Sequence, residues 1–307
     1  MAFDGSAIKA LLDDAVAQGS AHGIAAMVVD RRGALFHHAA GEADEHTLFR
    51  NASMTKAVAT TAALQLVEQG RLALDASVAS ILPEFARLPL LEGFDGDTPR
   101  LRAPASAATV RQLMTHTAGL GYFFTNAKLQ RWHQLSGEPN VLSGLKRSLY
   151  APLVNDPGTA WEYGVNTDWL GLVVEQISGD NLGRVLRERI YDPLGMHDSS
   201  FMPSDAQAER LLRVMQRQAD GSLAPAELAA AAPPEWDAAG HGSYGTVQDY
   251  AKFVQAWLND GAGVLQPATV QLALQDQLGA IRLPAVMKSF EPALSNDVPS
   301  LPVAQGW

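Results

Sequence analysis

The chain has 307 residues, 47% hydrophobic and 18% charged, enough apolar material for a sizeable core in one large or two small domains. A formal net charge of −10 argues against nucleic acid and anionic membrane as partners, because both attract basic surfaces. There is no cysteine, so disulfides, thiolate nucleophiles and cysteine-ligated metals are excluded.

Residues 1–19 carry Asp4, Asp13 and Asp14 among apolar residues, the pattern of an amphipathic helix and not of a secretory signal. No run reaches transmembrane length, so a cytoplasmic protein is the expectation. Residues 24–29 are an apolar run of strand length, Arg31-Arg32-Gly33 a turn, and residues 34–39 the hairpin partner. Residues 54–69 then read as a helix with Val58, Ala62 and Leu66 among its apolar positions. Asn51 is its expected N-cap and Gly70 its stop.

Ser53 falls in the first turn of that helix, with its hydroxyl and free backbone N–H at the positive end of the dipole. Lys56, three residues on, lies over the same face. A serine hydroxyl is a poor nucleophile until a neighbour takes its proton. A lysine does so only when burial or a nearby positive charge lowers its own pKa. The competing reading is a solvated helix start, since two fixed positions in four recur by chance in many chains.

From 72 to about 235, helical stretches alternate with Pro/Gly loops. Thr109-Val110-Arg111-Gln112 is a capping box that opens a short helix toward His116. Tyr163 sits in a shaped loop that begins at Asp156-Pro157-Gly158 and leads into the next helix. A phenol held there near a lysine ammonium favours its phenolate and can act as a base; the alternative is a rim or core aromatic with a satisfied hydroxyl. Asn166 or Thr167 is the expected cap of a helix through Leu170 and Val174, with Gly179 after it. Residues 182–190 form the next helix, stopped by Asp192-Pro193-Leu194-Gly195, and residues 224–234 are an Ala/Pro-rich connector. Thr246-Val247-Gln248-Asp249 opens a helix through Trp257 closed by Gly261, and residues 267–277 form the last helix.

None of the eight histidines stands at a metal-ligand spacing, and no metal or cofactor is expected. His37 and His38 are adjacent on a strand and point to opposite faces. His116 is expected to fix a loop through backbone bonds and not to serve as a triad base. His241-Gly242-Ser243-Tyr244-Gly245 approximates a nucleophile elbow, but it lacks the first glycine and the strand-turn-helix setting. Tyr122-Phe123-Phe124, after Gly119-Leu120-Gly121, line an acyl pocket or plug the core. Tyr122, Phe123 and His241 are the candidate substrate-binding residues.

Ser53-x-x-Lys56 followed by Tyr163 resembles the serine β-lactamase-like superfamily, in particular the class C-like family VIII carboxylesterases. Further blocks carry the resemblance: residues 113–120 (Leu-Met-Thr-His-Thr-Ala-Gly-Leu), Asp168-Trp169-Leu170-Gly171, Pro193-Leu194-Gly195-Met196 and residues 245–253. It implies an α/β (α+β) fold with an antiparallel sheet flanked by helices in residues 1–71 and 236–307. A mostly helical second domain would span 72–235, with the cleft between the two. It implies acylation of Ser53, a proton shared by Lys56 and Tyr163, the Ser53 N–H as one oxyanion donor, no cofactor, and a small-molecule ester as substrate.

Two departures qualify this. Val165 stands where lactamases of this type carry asparagine, which favours an esterase over a β-lactam or D-amino-acid amide hydrolase. The third motif, a glycine-bearing strand that supplies the second oxyanion donor, is missing: Lys288-Ser289-Phe290 lacks the glycine, and His241-Gly242-Ser243 precedes a helix. The expectation is therefore a chain that stops before its sheet is complete, is prone to self-association through the open edge, and is weakly active or only binds ligands.

Overall fold

A computed structural model describes residues 3–226, 233–300 and 306–307. Helix Ser6–Ala17 lies against an antiparallel hairpin, Gly23–Asp30 with Gly33–Gly41. The Asp30 carboxylate closes the turn by accepting the N–H groups of Arg32 and Gly33. Side chains alternate across a strand, so His38 bonds Asp13 of the first helix at 2.7 Å while His37 faces Gln248 at 3.4 Å. Gln248 belongs to helix Val247–Leu258, which covers the other face of the hairpin. Residues 6–41 and 247–259 thus pack as one layered unit. Gln255 and Asn259 fasten it by donating to the carbonyls of Asp30 and Arg31.

Phe49–Arg50 pairs antiparallel with Tyr244–Gly245 and delivers the chain to the central helix, Thr55–Glu68. Every residue of that helix from Thr55 to Leu66 is buried except Ala57. Polar groups inside such a helix must find partners. Thr61 Oγ1 donates to the Ala57 carbonyl, and the Gln65 amide to the carbonyls of Arg189 and Val264. The helix packs against Asn166–Ser178, whose Trp169, Leu170, Val173 and Val174 are fully buried. Burying four such side chains contributes on the order of 8 kcal/mol before entropy is counted.

Among the described residues the strands form five two-stranded antiparallel ladders. Two of them lie inside the stretch read as helices and loops: Leu90–Asp95 with Thr98–Arg102, and Met215–Arg217 with Leu223–Pro225. The first had a signal in the sequence, because Gly96-Asp97 is a two-residue hairpin loop and Gly96 takes φ +56°.

Several helix limits differ from the sequence reading. A 3₁₀ turn, Ala52–Met54, precedes the central helix. Asn51 does not cap it, because its side-chain amide donates to Ser243 Oγ at 3.0 Å. Neither Asn166 nor Thr167 caps its helix; Val165 holds that position, and the Asn166 amide is spent on His116 and Leu120. The caps at Thr109 and Thr246 form as read. Residues 182–190 divide into Leu182–Leu186 and a π turn, Arg187–Tyr191, and the chain leaves through Gly195 at φ +68°. The last helix is Pro267–Ala273. Of the connector at 224–234, residues 227–232 lie outside the described residues, as do 301–305. No described helix is long and apolar enough to cross a membrane.

Candidate active site

Ser53 stands exposed at the head of the buried central helix. Ala52 before it has φ +45°, a left-handed conformation that costs an ordinary residue roughly 1–3 kcal/mol and is held only by its surroundings. Ser243, 1% exposed, supplies that hold from beneath. Its carbonyl accepts the Asn51 N–H at 2.9 Å, its hydroxyl meets the Asn51 amide at 3.0 Å and Thr55 Oγ1 at 2.8 Å, and its N–H donates to Thr55 Oγ1 at 3.1 Å. The serine of the elbow-like segment is thus a brace for the turn and is itself out of reach of a substrate. Among the described residues no backbone carbonyl takes the Ser53 N–H, as expected for the first turn of a helix.

Two side chains meet at Ser53. Tyr163 Oη donates to Ser53 Oγ at 2.6 Å, and Lys56 Nζ donates to it at 3.2 Å. The other two ammonium protons go to Tyr122 Oη at 3.1 Å and the Gly240 carbonyl at 2.7 Å, so all three donors of a buried charge are satisfied. The sequence reading placed the ammonium near the Tyr163 phenol. The structure sets it over the ring face, 4.7 Å from the centroid, with the two groups coupled through Ser53 Oγ. Tyr163 is fixed through its backbone, since its carbonyl accepts the Tyr122 N–H at 3.1 Å. Gly164 lies so close to the next loop that a Cβ there would stand 2.2 Å from the Leu120 carbonyl oxygen.

Tyr122 is buried, stacked on Phe124 at 4.8 Å, and bonded to Lys56. Burial pushes its phenol well above the ordinary range, so it remains a neutral partner of the ammonium. Of the two things the sequence suggested, a pocket lining or a core plug, it is the second, and it also holds Lys56. Phe123 is not brought to Ser53: its ring packs on Phe124 and His133, in a separate cleft bordered by Gln130 and Glu291. His241 is half-buried, edge-on to Trp236, and faces Asp168. Asp168 is fully buried, and its Oδ1 accepts the Gly240 N–H at 2.6 Å.

The cavity beside Tyr163, about 380 Å³, is lined by Thr125, Trp161, Val286, Met287, Lys288 and Phe290 among others. The sequence reading named none of these for a pocket, because residues 281–300 show no periodicity that would place them there. A larger cavity, about 1240 Å³ and bordered by Glu175, Arg184 and Trp236, includes none of the residues at Ser53. The Ser289 N–H is taken by Asp297 at 2.9 Å and the Phe290 N–H by the Phe124 carbonyl at 2.8 Å. Ser289 and Phe290 therefore offer no N–H to an oxyanion. Among the described residues no cluster of three histidine, aspartate or glutamate side chains is placed to hold a metal ion.

His116 occupies a left-handed position, φ +56°, and its carbonyl accepts the Glu162 N–H, which ties the Tyr163 loop down. Asn166 donates to its Nδ1 at 3.1 Å, leaving the proton on Nε2. Burial, and then the nearby Lys56, pull the imidazole down to about 3. This folded value lies below the unfolded one of about 6.5. The neutral ring therefore supports folding fully above pH ~6.5, and that support is lost as pH falls toward 3. Urea unfolding of the wild type and of His116→Gln between pH 6 and 4.5 should show the wild type losing up to about 1.4 kcal/mol more per pH unit than the variant. Parallel pH dependences would mean that His116 is not held neutral.

The family model described as Beta-lactamase matches residues 8–292. The chain is 36% identical to a lovastatin esterase of Penicillium rubens over 238 residues, 74% of this chain and 59% of that protein. It is 37% identical to a monacolin J acid methylbutanoyltransferase of Aspergillus terreus, across 75% of this chain and 57% of that one. The chain thus spans less than two thirds of the length of these curated relatives. Among solved structures, unliganded simvastatin synthase (LovD) from Aspergillus terreus, as its selenomethionyl derivative, superposes with a TM-score of 0.79 at 31% identity. That match covers 90% of this chain and 73% of the other.

Proposed function

The chain belongs to the Beta-lactamase family, and from that premise we propose that it cleaves short-chain carboxylic esters through an acyl-enzyme on Ser53. The observation that carries this reading is the convergence of Lys56 Nζ and Tyr163 Oη on one exposed hydroxyl. With both partners protonated, Ser53 Oγ only accepts. Loss of one proton from the pair turns one partner into the acceptor of the serine proton. Oγ then attacks the ester carbonyl, and the oxyanion forms beside the free Ser53 N–H. As the carbonyl–oxygen bond breaks, the proton passes to the leaving alcohol. Water, or a second alcohol, repeats the sequence in reverse to free the acyl group.

Ester substrates are favoured over β-lactams or D-amino-acid amides because Val165 is only 6% exposed and apolar, and so presents no hydrogen bond to an amide side chain. An alcohol as final acceptor is a second reading, favoured by likeness to both an esterase and an acyltransferase. Intact-mass measurement during a p-nitrophenyl acetate pulse tests the central claim. One acetyl adduct on Ser53 should form and decay, faster when a competing alcohol is added if transfer is the reaction. A protein that stays unmodified, or that turns over nitrocefin faster than the ester, would overturn the proposal.

A further inference from the structure

Behind Lys56 lies a buried acid with no part in the reading above. Asp168 is 0% exposed and sits on helix Asn166–Ser178, more than one hundred residues from the serine turn. Its Oδ1 accepts the Gly240 N–H at 2.6 Å, and the Gly240 carbonyl in turn accepts Lys56 Nζ at 2.7 Å. Gly240 cannot carry a side chain, since a Cβ would stand 2.5 Å from Asp168 Oδ2. The carboxylate and the ammonium are thus linked through one residue pressed against both.

We propose that Asp168 is a positioning residue for the proton-transfer pair: through Gly240 it aims the Lys56 ammonium at Ser53, and as an anion it raises the pH at which the Lys56–Tyr163 pair releases its proton. The inference rests on Ser53, Lys56 and Tyr163 acting as proposed above. Four groups interact with the carboxylate: the Gly240 N–H by a hydrogen bond, and Lys56 from the central helix, His241 from the segment before the last long helix and Tyr122 from the glycine-rich loop through charge. Oδ2 has no partner among the described residues, which leaves either form of the carboxyl short of one hydrogen bond. Burial, the largest influence, raises the Asp168 pKa overall, while His241, Lys56 and the Gly240 N–H pull it back toward the anion.

The sign of the effect does not depend on which member of the pair loses the proton. A nearby anion favours a charged ammonium and disfavours a phenolate, and both hold the proton on. Removing the anion must therefore move the rising limb of the pH–rate profile to lower pH.

Asp168→Asn keeps an oxygen for the Gly240 N–H and removes the charge. Its kcat/KM profile on p-nitrophenyl acetate should rise at a pH lower by at least about half a unit. Asp168→Ala also removes the acceptor, and should lower kcat by roughly 10- to 100-fold with KM little changed. An unmoved limb in Asp168→Asn, or a wild-type kcat in Asp168→Ala, overturns the proposal. Should these variants not fold, infrared spectra with labelled aspartate decide on the unsubstituted site, in an Asp237→Asn background because Asp237 is the other aspartate that burial raises. No protonated aspartate band is expected at pH 7, and its presence overturns the anion's role. Ser53→Ala keeps the two readings apart. If it retains turnover, the nucleophile assignment fails; if it is dead while the Asp168→Asn limb stays put, only Asp168 is wrong.

Discussion

Ser53→Ala is expected to abolish p-nitrophenyl acetate turnover, a loss on the order of 10⁴-fold or more, while the folded protein persists. The size follows from the role. Without the hydroxyl there is no acyl-enzyme, and what remains is binding plus one N–H at the oxyanion. The fold should be spared because Ser53 is exposed and the turn beneath it is held by Asn51, Thr55 and Ser243, none of which the substitution touches. Lys56 would keep two of its three acceptors, Tyr122 and Gly240. The variant should therefore unfold within about 0.5 kcal/mol of the wild type, the usual range for a surface position. Purified variant assayed beside wild type decides the matter. Retention of more than about a hundredth of the rate would remove Ser53 from the mechanism, and the acetyl adduct should vanish with the activity.

How much of this site could be read beforehand depends on how each residue is held. Ser53 and Lys56 share one helical turn, so their spacing alone brings them together. Tyr163 lies 110 residues away, and only its loop setting and the family likeness pointed to it. Tyr122 was visible as an aromatic beside glycines, but its task is set by a buried ammonium 66 residues distant, and no local pattern encodes that. Asp168 connects to Lys56 only through the backbone N–H and carbonyl of Gly240, groups that no particular side chain signals. The roles of Asn51, Asn166 and Ser243 were misread or passed over for a related reason. A polar side chain near a helix start has a local use as a cap, and tertiary partners outbid it here. The central helix was legible from apolar periodicity and length, whereas the α/β character was implied by the family likeness. The hairpin at Gly96 was missed where a long stretch was read as one helical region.

Lys56→Ala and Tyr163→Phe should each slow acylation of Ser53 by about 10³-fold or more, and the double variant should be within about tenfold of the worse single one. Independent contributions would multiply toward roughly 10⁶. The geometry argues against independence, because both groups contact the same oxygen and the ring of Tyr163 lies under the ammonium. Either loss breaks the single proton relay, and a broken relay gains little from its remaining half. The two variants differ in a second respect. Tyr163→Phe removes one hydroxyl from an open site, whereas Lys56→Ala strands the buried Tyr122 hydroxyl and the Gly240 carbonyl. Leaving such groups unpaired costs about 1–3 kcal/mol each, so Lys56→Ala should be the less stable protein. Rates must then be taken from single-turnover acylation of folded protein, with unfolding measured in parallel. Fully multiplicative losses would show that Tyr163 and Lys56 act separately, with the phenol serving as a wall of the cavity it borders and the ammonium alone taking the serine proton.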